Sequence, residues 1–420
     1  NTEGDSNVSV GWKSLELNTT GNQNTAVGRD ALGENTTASN NIAVGFNAMN
    51  LNTTGSSNVS VGSYSLDANT SGGNNVAVGI NSLSSNTTAS DNTAIGAGAM
   101  DGNTTGARNT AVGRGALDLN STANNNVAVG YNCLDANTTG HSNVSVGAFS
   151  MGANTTGVQN TVLGESALGN NTTASNNTAI GKNALVQNTT ASENTAVGAF
   201  SLDANNTGTP NTAIGYNSLT SNTTGGSNTA CGKSALQNST TADHNTAVGN
   251  NALLANTTGH SNVAVGSLAL DISTTANNNT AVGRSALSAA TTGSNNVAVG
   301  SLALDANTTG QYNFAVGYNA LGANTTGSVN VAIANAMQTN TTGESNVAIG
   351  SNALDDNTSG SQNVAVGRQA LGDNITADNN TAVGHNALLK NTTGAQQVAV
   401  GGLALDANTT GNYNQAFGYG

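Results

Sequence analysis

Apolar and polar residues follow one another along this chain with a strict 17-residue period. The period is clearest in residues 126–142, which read NVAVGYNCLDANTTGHS. Units of this kind start every 17 residues from Asn7 to Asn330. Later units start at Asn346, Asn363, Asn380, Gln397 and Asn414. No linker or shift in composition interrupts the pattern, so it predicts one continuous repeat domain over residues 1–420.

The unit has a fixed order of residue types when its first Asn is numbered position 1. Positions 2 to 4 are apolar or β-branched and predict a short strand, and Gly at position 5 predicts a turn with positive φ. Positions 8 to 10 predict a second short strand, and positions 12 to 15 usually read Asn-Thr-Thr followed by Gly or Ala. Positions 4 and 9 never become polar, so we expect both in the core, with Val129 and Leu134 as examples.

Strands this short become stable only when successive coils pair with one another at a spacing of ~4.8 Å. The sequence therefore predicts an all-β fold, a parallel β-solenoid of about 24 coils with 17 residues each. A helical fold fits poorly, because the units lack helical apolar periodicity.

Two large apolar side chains per coil do not obviously offset the entropy of ordering a whole coil. We therefore expect ladder hydrogen bonds and association with other chains to supply the remainder.

One unit is a residue short. Only Ala334 and Asn335 separate Ile333 from Ala336, where every other unit has three residues. A loss inside a strand would turn over every later side chain, yet Met337 is still apolar at position 9. The sequence therefore predicts that the loss lies in the turn and that the strands stay in register.

Composition narrows the functional classes. Charged residues are only 7% of the chain and the net charge is −13 without a basic patch, which argues against nucleic acid or an anionic membrane as partner. No apolar run reaches membrane-spanning length. Asp often follows the repeated Leu, as at Asp67, Asp135 and Asp203, and we interpret this column as a solvated edge that keeps fibres soluble.

Cysteine and histidine residues predict no chemistry. Cys133 and Cys231 lie roughly 29 Å apart along a solenoid axis, too far for a disulfide, and are expected to be small buried hydrophobes. The histidines fall in predicted turns and no pair has metal-ligand spacing. They are His141, His244, His260 and His385. Neither a catalytic triad nor a phosphate-binding loop stands out, so we expect no enzyme, no cofactor and no metal.

Asn residues form columns at positions 1 and 12. Stacked Asn side chains are expected to hydrogen-bond along the solenoid. Position 12 also heads an Asn-Thr-Thr acceptor sequence for N-glycosylation. The candidates are Asn18, Asn35, Asn52, Asn86, Asn137 and Asn391. Ser239, Ser273 and Ala290 replace this Asn while both Thr remain, which favours a structural role and leaves glycosylation open.

Two further surface patterns have functional interpretations. Thr columns at positions 13 and 14 are a feature of ice-binding faces, but neighbouring strand residues face opposite sides, so only one column is expected outside. Aromatic residues such as Trp12, Phe46 and Tyr131 lie at position 6, in a corner. Sugar stacking there is conceivable, although scattered exposed aromatics are usually incidental.

The Asn-Val-Ala-Val-Gly segment followed by Ala-Leu resembles the head repeat of trimeric autotransporter adhesins of the YadA type. Similar repeats occur in tail-fibre proteins of phages and large viruses. The segments that match are 24–28, 92–96, 177–181 and 346–350. The resemblance implies a left-handed parallel β-roll, three chains side by side, and a location outside a cell or on a virion.

Pattern and resemblance together predict a non-enzymatic fibre or adhesin repeat domain that serves adhesion or host-receptor binding. Its expected partners are copies of itself, in a lateral homotrimer or an end-to-end filament, and a cell-surface glycan or receptor. A self-polymerising filament without a receptor and an ice-binding protein are the alternatives. Because the repeat continues to Asn1 and Gly420 without caps, we expect a segment of a longer fibre or end-to-end stacking.

Overall fold

The computed structural model describes residues 3–420, in which it contains 25 β-strands and no helix. The chain divides into two compact units, the first ending at Pro210 and the second beginning at Asn211. The strands of the first unit are β1 Val8–Val10, β2 Thr25–Val27, β3 Ile42–Val44, β4 Val59–Val61, β5 Val76–Val78, β6 Thr93–Ile95, β7 Thr110–Val112, β8 Val127–Val129, β9 Val144–Val146, β10 Thr161–Leu163, β11 Thr178–Ile180 and β12 Thr195–Val197. Those of the second unit are β13 Asn211–Ile214, β14 Asn228–Cys231, β15 Thr246–Val248, β16 Val263–Val265, β17 Thr280–Val282, β18 Val297–Val299, β19 Phe314–Val316, β20 Val331–Ile333, β21 Val347–Ile349, β22 Val364–Val366, β23 Thr381–Val383, β24 Val398–Val400 and β25 Gln415–Phe417.

Within each unit, every strand pairs in parallel with the next strand of the chain. Equivalent repeat positions lie opposite one another, as Val127 opposite Val144 and Ala128 opposite Ser145 in β8 and β9. The predicted parallel β-solenoid of about 24 coils is therefore confirmed.

The inward side chain of each strand is at position 3, so the prediction that position 4 lies in the core is wrong. Ala128 is 0% exposed, whereas Val129 is only half-buried. Between the first and last strands, position 4 reaches 50% exposure at Leu163. Alternate strand residues face opposite sides, so positions 2 and 4 share the outer face once position 3 points inward. The position that never becomes polar is thus an outer column, and small Ala side chains fill the thin interior.

The prediction that position 9 is buried is confirmed, but the second strand at positions 8 to 10 is not present. Leu134 is 0% exposed and lies in a turn, where it has φ +55° and Asn132 has φ +45°. A left-handed residue costs roughly 1–2 kcal/mol. Hydrogen bonds between coils compensate, because the Leu134 amide donates to the Ser150 carbonyl at 3.0 Å and the Asn132 amide to the Arg114 carbonyl at 3.0 Å.

Gly at position 5 is required by close contact between coils. Gly130 has φ +143°, and a Cβ there would lie 2.5 Å from the carbonyl oxygen of Gly147 in the next coil. A side chain would therefore force neighbouring backbones apart as well as strain φ. This confirms the predicted positive φ.

The two Asn columns form buried hydrogen-bonded ladders, as predicted. The Asn126 amide donates to Asn109 Oδ1 at 2.9 Å, and Asn137 Nδ2 donates to Asn120 Oδ1 at 3.0 Å. Asn126 Nδ2 and Asn137 Nδ2 also both donate to the Gly140 carbonyl at 2.9 Å. Because Asn126 and Asn137 have hydrogen-bond partners, polar groups can fill an interior that has few large apolar side chains.

The shortened coil behaves as predicted. Val331 lies opposite Val347 and Ile333 opposite Ile349, an offset of 16 residues instead of 17. Ala334 takes position 5 with φ +74°, and Met337 is 0% exposed. The missing residue therefore tightens the turn and leaves β20 in register with β21.

Candidate functional site

Within each unit, the outer face of the strands is a continuous uncharged surface. Position 2 is Thr or Val in nearly every strand, and position 4 is always apolar. Large side chains on this face are partly open to solvent, with Ile42 42%, Ile95 41% and Val144 40% exposed. Twelve stacked strands make this stripe roughly 53 Å long in the first unit alone. Monomeric proteins rarely expose apolar patches beyond a few hundred Å², so the stripe is a candidate interface.

Cys133 lies in the interior of its coil, whereas Cys231 lies on the outer face of a strand. Cys133 is 0% exposed, its Sγ lies 3.1 Å from both the Ser145 carbonyl and Ser150 Oγ, and burial raises the pKa of its thiol. Cys231 is half-buried, because it occupies position 4 on the outer face. The prediction of a buried hydrophobe is confirmed for Cys133 and wrong for Cys231.

The six proposed glycosylation residues are buried in the position 12 ladder. None of them is more than 1% exposed, and Asn86 Nδ2, for example, donates to Asn69 Oδ1 at 3.0 Å and to the Ala89 carbonyl at 3.1 Å. This geometry holds for Asn18, Asn35, Asn52, Asn86, Asn137 and Asn391, each of which donates to the position 15 carbonyl of its own coil. Since a glycan would need the same Nδ2 atom and a path to solvent, the folded coil argues against modification at these positions.

Five exposed Asn residues outside position 12 also head acceptor sequences, two at position 11 and three at position 17, which are Asn176, Asn278 and Asn379. Asn170 precedes Asn171-Thr172, and Asn238 precedes Ser239-Thr240. Both lie at position 11 and are exposed. The Asn-x-Thr spacing in the sequence indicates these sites, although they lie outside the position 12 column.

Both Thr columns lie outside the core, which corrects the expectation that they face opposite sides. Thr138 is half-buried and its hydroxyl donates to the Thr155 carbonyl at 3.0 Å, whereas Thr139 is exposed. The segment is a bend and not a strand, so the alternation of strand side chains does not apply. One exposed Thr column and one half-buried, hydrogen-bonded Thr column therefore follow the coils.

Aromatic side chains at positions 6 and 7 form two matching stacks with an arginine. Phe46 and Tyr64 pack edge to face with ring centroids 5.2 Å apart, and Arg29 lies 5.6 Å from the Phe46 centroid. Eighty-five residues further on, Tyr131 and Phe149 also lie 5.2 Å apart, with Arg114 5.9 Å from Tyr131. The prediction placed Phe46 and Tyr131 at corners correctly. It missed their partners, which lie in neighbouring coils.

The Asp column at position 10, which we interpreted as a solvated edge, is half-buried. Burial raises the pKa of Asp118, and the neighbouring charges of Asp101 and Asp135 raise it further. Burial is also the largest cause of a raised pKa at other members of the column. They are Asp67, Asp135, Asp203, Asp271, Asp305 and Asp355.

The remaining candidate chemistry is dispersed. All four histidines, His141, His244, His260 and His385, are exposed. Within residues 3–420, His, Cys, Asp and Glu side chains form no group of three or more that could hold a metal ion. The same range has no helix with the length and hydropathy to cross a membrane.

No known protein family and no curated protein matches the sequence.

Proposed function

We propose that this chain is a non-enzymatic repeat domain of an extracellular or virion-surface fibre, which serves adhesion and associates laterally with copies of itself. The observation that carries the proposal is the uncharged outer face of the strands. Side chains such as Val129 and Ile95 would leave water when a second copy packs against them. Each Å² of apolar surface removed from water contributes about 25 cal/mol.

The periodicity of this face favours a copy of the same chain as the partner. Two solenoids share the same ~4.8 Å spacing between strands, so their outer columns can interdigitate coil after coil. The resemblance to trimeric adhesin heads suggests three chains in the cross-section. A self-polymerising filament is the alternative, in which the same coils stack end to end without a receptor.

Light scattering of the purified chain at micromolar concentration tests this proposal. The proposal predicts a discrete mass near three times 41.2 kDa, whereas end-to-end growth gives a broad distribution of larger masses. Replacing Val112 and Val129 with Lys places charges on the outer face and should release single chains. The control, Thr139→Lys, adds a charge to the exposed Thr column of the same coil and should leave the mass unchanged. A wild-type chain that stays monomeric would contradict lateral association.

Ice binding is a second candidate because the position 14 Thr column is exposed. Thr139 and its counterparts Thr122 and Thr156 present hydroxyl and methyl groups at regular intervals in consecutive coils. A freezing-point depression that exceeds the colligative value, and that Thr139→Lys reduces, would support it. Its absence from both the wild-type chain and the lysine-released single chains would reject it.

A further inference from the structure

A surface trough of about 410 Å³ lies in the first unit beside the second aromatic stack. It exists because position 10 is Gly in two successive coils, at Gly152 and Gly169, where most coils carry a longer side chain. A Cβ at Gly152 would lie 3.2 Å from Asp135 Oδ1. Volumes of this size fall within the range of small-molecule sites, about 300–1,000 Å³. The side chains that bound the trough include those of Asn132, Asp135, Phe149, Asn170 and Val186.

One wall of the trough is the ring of Phe149, which packs against the ring of Tyr131. Phe149 is 49% exposed, and its ring packs against Tyr131 at 5.2 Å with an interplanar angle of 81°. Arg114 in turn lies 5.9 Å from the Tyr131 centroid. A fixed ring loses little entropy when a ligand stacks on it.

The other groups of the trough are hydrogen-bonding and anionic. Asp135 is half-buried, and within residues 3–420 its carboxylate forms no salt bridge. Asn132 and Asn170 add side-chain amides, which can both donate and accept. An apolar ring opposite carboxylate and amide groups suits a ligand with one C–H face and several hydroxyl groups. The carboxylate and the net charge of −13 disfavour an anionic ligand.

We propose that this trough binds one pyranose unit of a neutral glycan, with the sugar ring on Phe149 and its hydroxyl groups on Asp135 and the two amides. The site rests on the proposed adhesive function and specifies its ligand class. Binding of a single unit in a shallow trough is expected to be weak, with a Kd of about 1 mM.

The first aromatic stack provides a matched control within the same chain. Tyr64 occupies the position of Phe149 and packs on Phe46 with the same 5.2 Å separation. Position 10 of its own coil and of the next coil, however, holds Asp67 and Ser84 in place of the two Gly residues. The ring is therefore present while the gap beside it is filled.

Saturation-transfer NMR with methyl glucoside, galactoside, mannoside and N-acetylglucosaminide tests the proposal, with N-acetylneuraminic acid as the anionic comparison. At least one neutral pyranoside should bind, and Phe149→Ala should weaken it by about tenfold or more, while Tyr64→Ala leaves it unchanged. Gly152→Leu should fill the trough and abolish binding. Leu254 and Leu389 occupy position 10 elsewhere, so the coil accepts this side chain.

Several outcomes would overturn the site. They are no binding of any neutral pyranoside at about 20 mM, equal losses in Phe149→Ala and Tyr64→Ala, or preferential binding of N-acetylneuraminic acid. Light scattering on the same samples reports lateral association independently. A trimer that binds no sugar would refute the trough alone, whereas a monomer would refute the fibre proposal whatever the sugar result.

Discussion

The position 12 ladder is unbroken in the first unit and interrupted in the second. From Asn35 to Asn205, each Asn donates from Nδ2 to Oδ1 of the Asn in the preceding coil, with distances of 2.7–3.3 Å. In the second unit Ser239, Ser273 and Ala290 take the Asn positions. Asn256 Oδ1, Ser239 Oγ and Ser273 Oγ are then buried without a hydrogen-bond partner in the described structure.

The interruption leaves the fold intact. Strands β14 to β17 keep their register, and the Thr257 amide still donates to the Thr274 carbonyl at 2.9 Å. The position 1 ladder also continues, since the Asn262 amide donates to Asn245 Oδ1 at 2.9 Å. Backbone ladders, the position 1 column and the Ala and Leu core therefore suffice to form a coil. The position 12 ladder adds stability on top of them.

The largest expected effect is the loss of one Asn from the unbroken ladder. Asn137→Ala removes the donors to Asn120 Oδ1 and the Gly140 carbonyl, and takes away the acceptor of Asn154 Nδ2. We expect this variant to lower the free energy of unfolding by about 2–3 kcal/mol. Asn256→Ala removes only the bond to the Gly259 carbonyl and should cost about 1 kcal/mol. Equal shifts in urea midpoints would contradict the comparison.

The interrupted ladder should be repairable. Ser273→Asn supplies an Nδ2 donor for Asn256 Oδ1, and Ala290→Asn then extends the column toward Asn307. Together they should raise the free energy of unfolding by about 1–2 kcal/mol, as read from urea denaturation. The control, Thr275→Asn, lies exposed in the same coil as Ser273. It should change stability by less than about 0.5 kcal/mol. If the repaired ladder is no more stable than this control, side-chain pairing contributes nothing here.

A smaller effect comes from pH and the Asp column. Burial raises the pKa of Asp118 and Asp305 above the ordinary 3.8, and the charges of Asp101 and Asp135 raise that of Asp118 further. The folded state thus binds protons more tightly than the unfolded chain, and stability rises as pH falls through the raised values. We expect a higher melting temperature at about pH 4.5 than at pH 7.

Replacing an Asp of the column with Asn in each unit tests this explanation in the same melting experiment. Asp118→Asn should raise the melting temperature at pH 7 more than Asp305→Asn, because only Asp118 has two charged neighbours in its column. Both differences should shrink on acidification. Melting temperatures that fall between pH 7 and pH 4.5 would have the wrong sign for raised carboxyl pKa values.

The smallest effect on stability is expected from glycans. In a host with N-glycosylation, peptide mass mapping of the folded secreted chain should find a glycan on the exposed Asn238 and none on the buried Asn137. Asn238→Gln removes the first site and should leave the melting temperature unchanged. Glycan on Asn137 in a folded sample would show that the position 12 ladder opens.

The 17-residue period of the sequence predicted the features of the fold that depend on the spacing between repeats. Parallel pairing, register and the tight turn after Ile333 all follow from offsets of 17 or 16 residues. The strand phase did not follow, because an apolar outer column has the same pattern as a core column. The left-handed turn residues were missed as well. Leu134 adopts a conformation that a Leu side chain disfavours, and hydrogen bonds to another coil hold it there.

The candidate site was less predictable than the fold. The trough beside Phe149 requires Gly at position 10 in two consecutive coils. Gly152 and Gly169 come together only when successive repeats are stacked. Position-by-position variation does not reveal such a pair. The same is true of the stack of Arg114 on Tyr131, which only the alignment of neighbouring coils brings together.

Hydrogen exchange of the wild-type chain tests most directly whether the paired Asn column stabilises the coils. The Thr138 amide donates to the Thr155 carbonyl at 3.0 Å beside the unbroken ladder, and the Thr274 amide donates to the Thr291 carbonyl at 3.3 Å beside the interrupted one. Both lie in the Asn-Thr-Thr corner and outside the strands that form the proposed interface. We predict that Thr138 exchanges at least about tenfold more slowly than Thr274. Equal rates, or slower exchange at Thr274, would contradict the account.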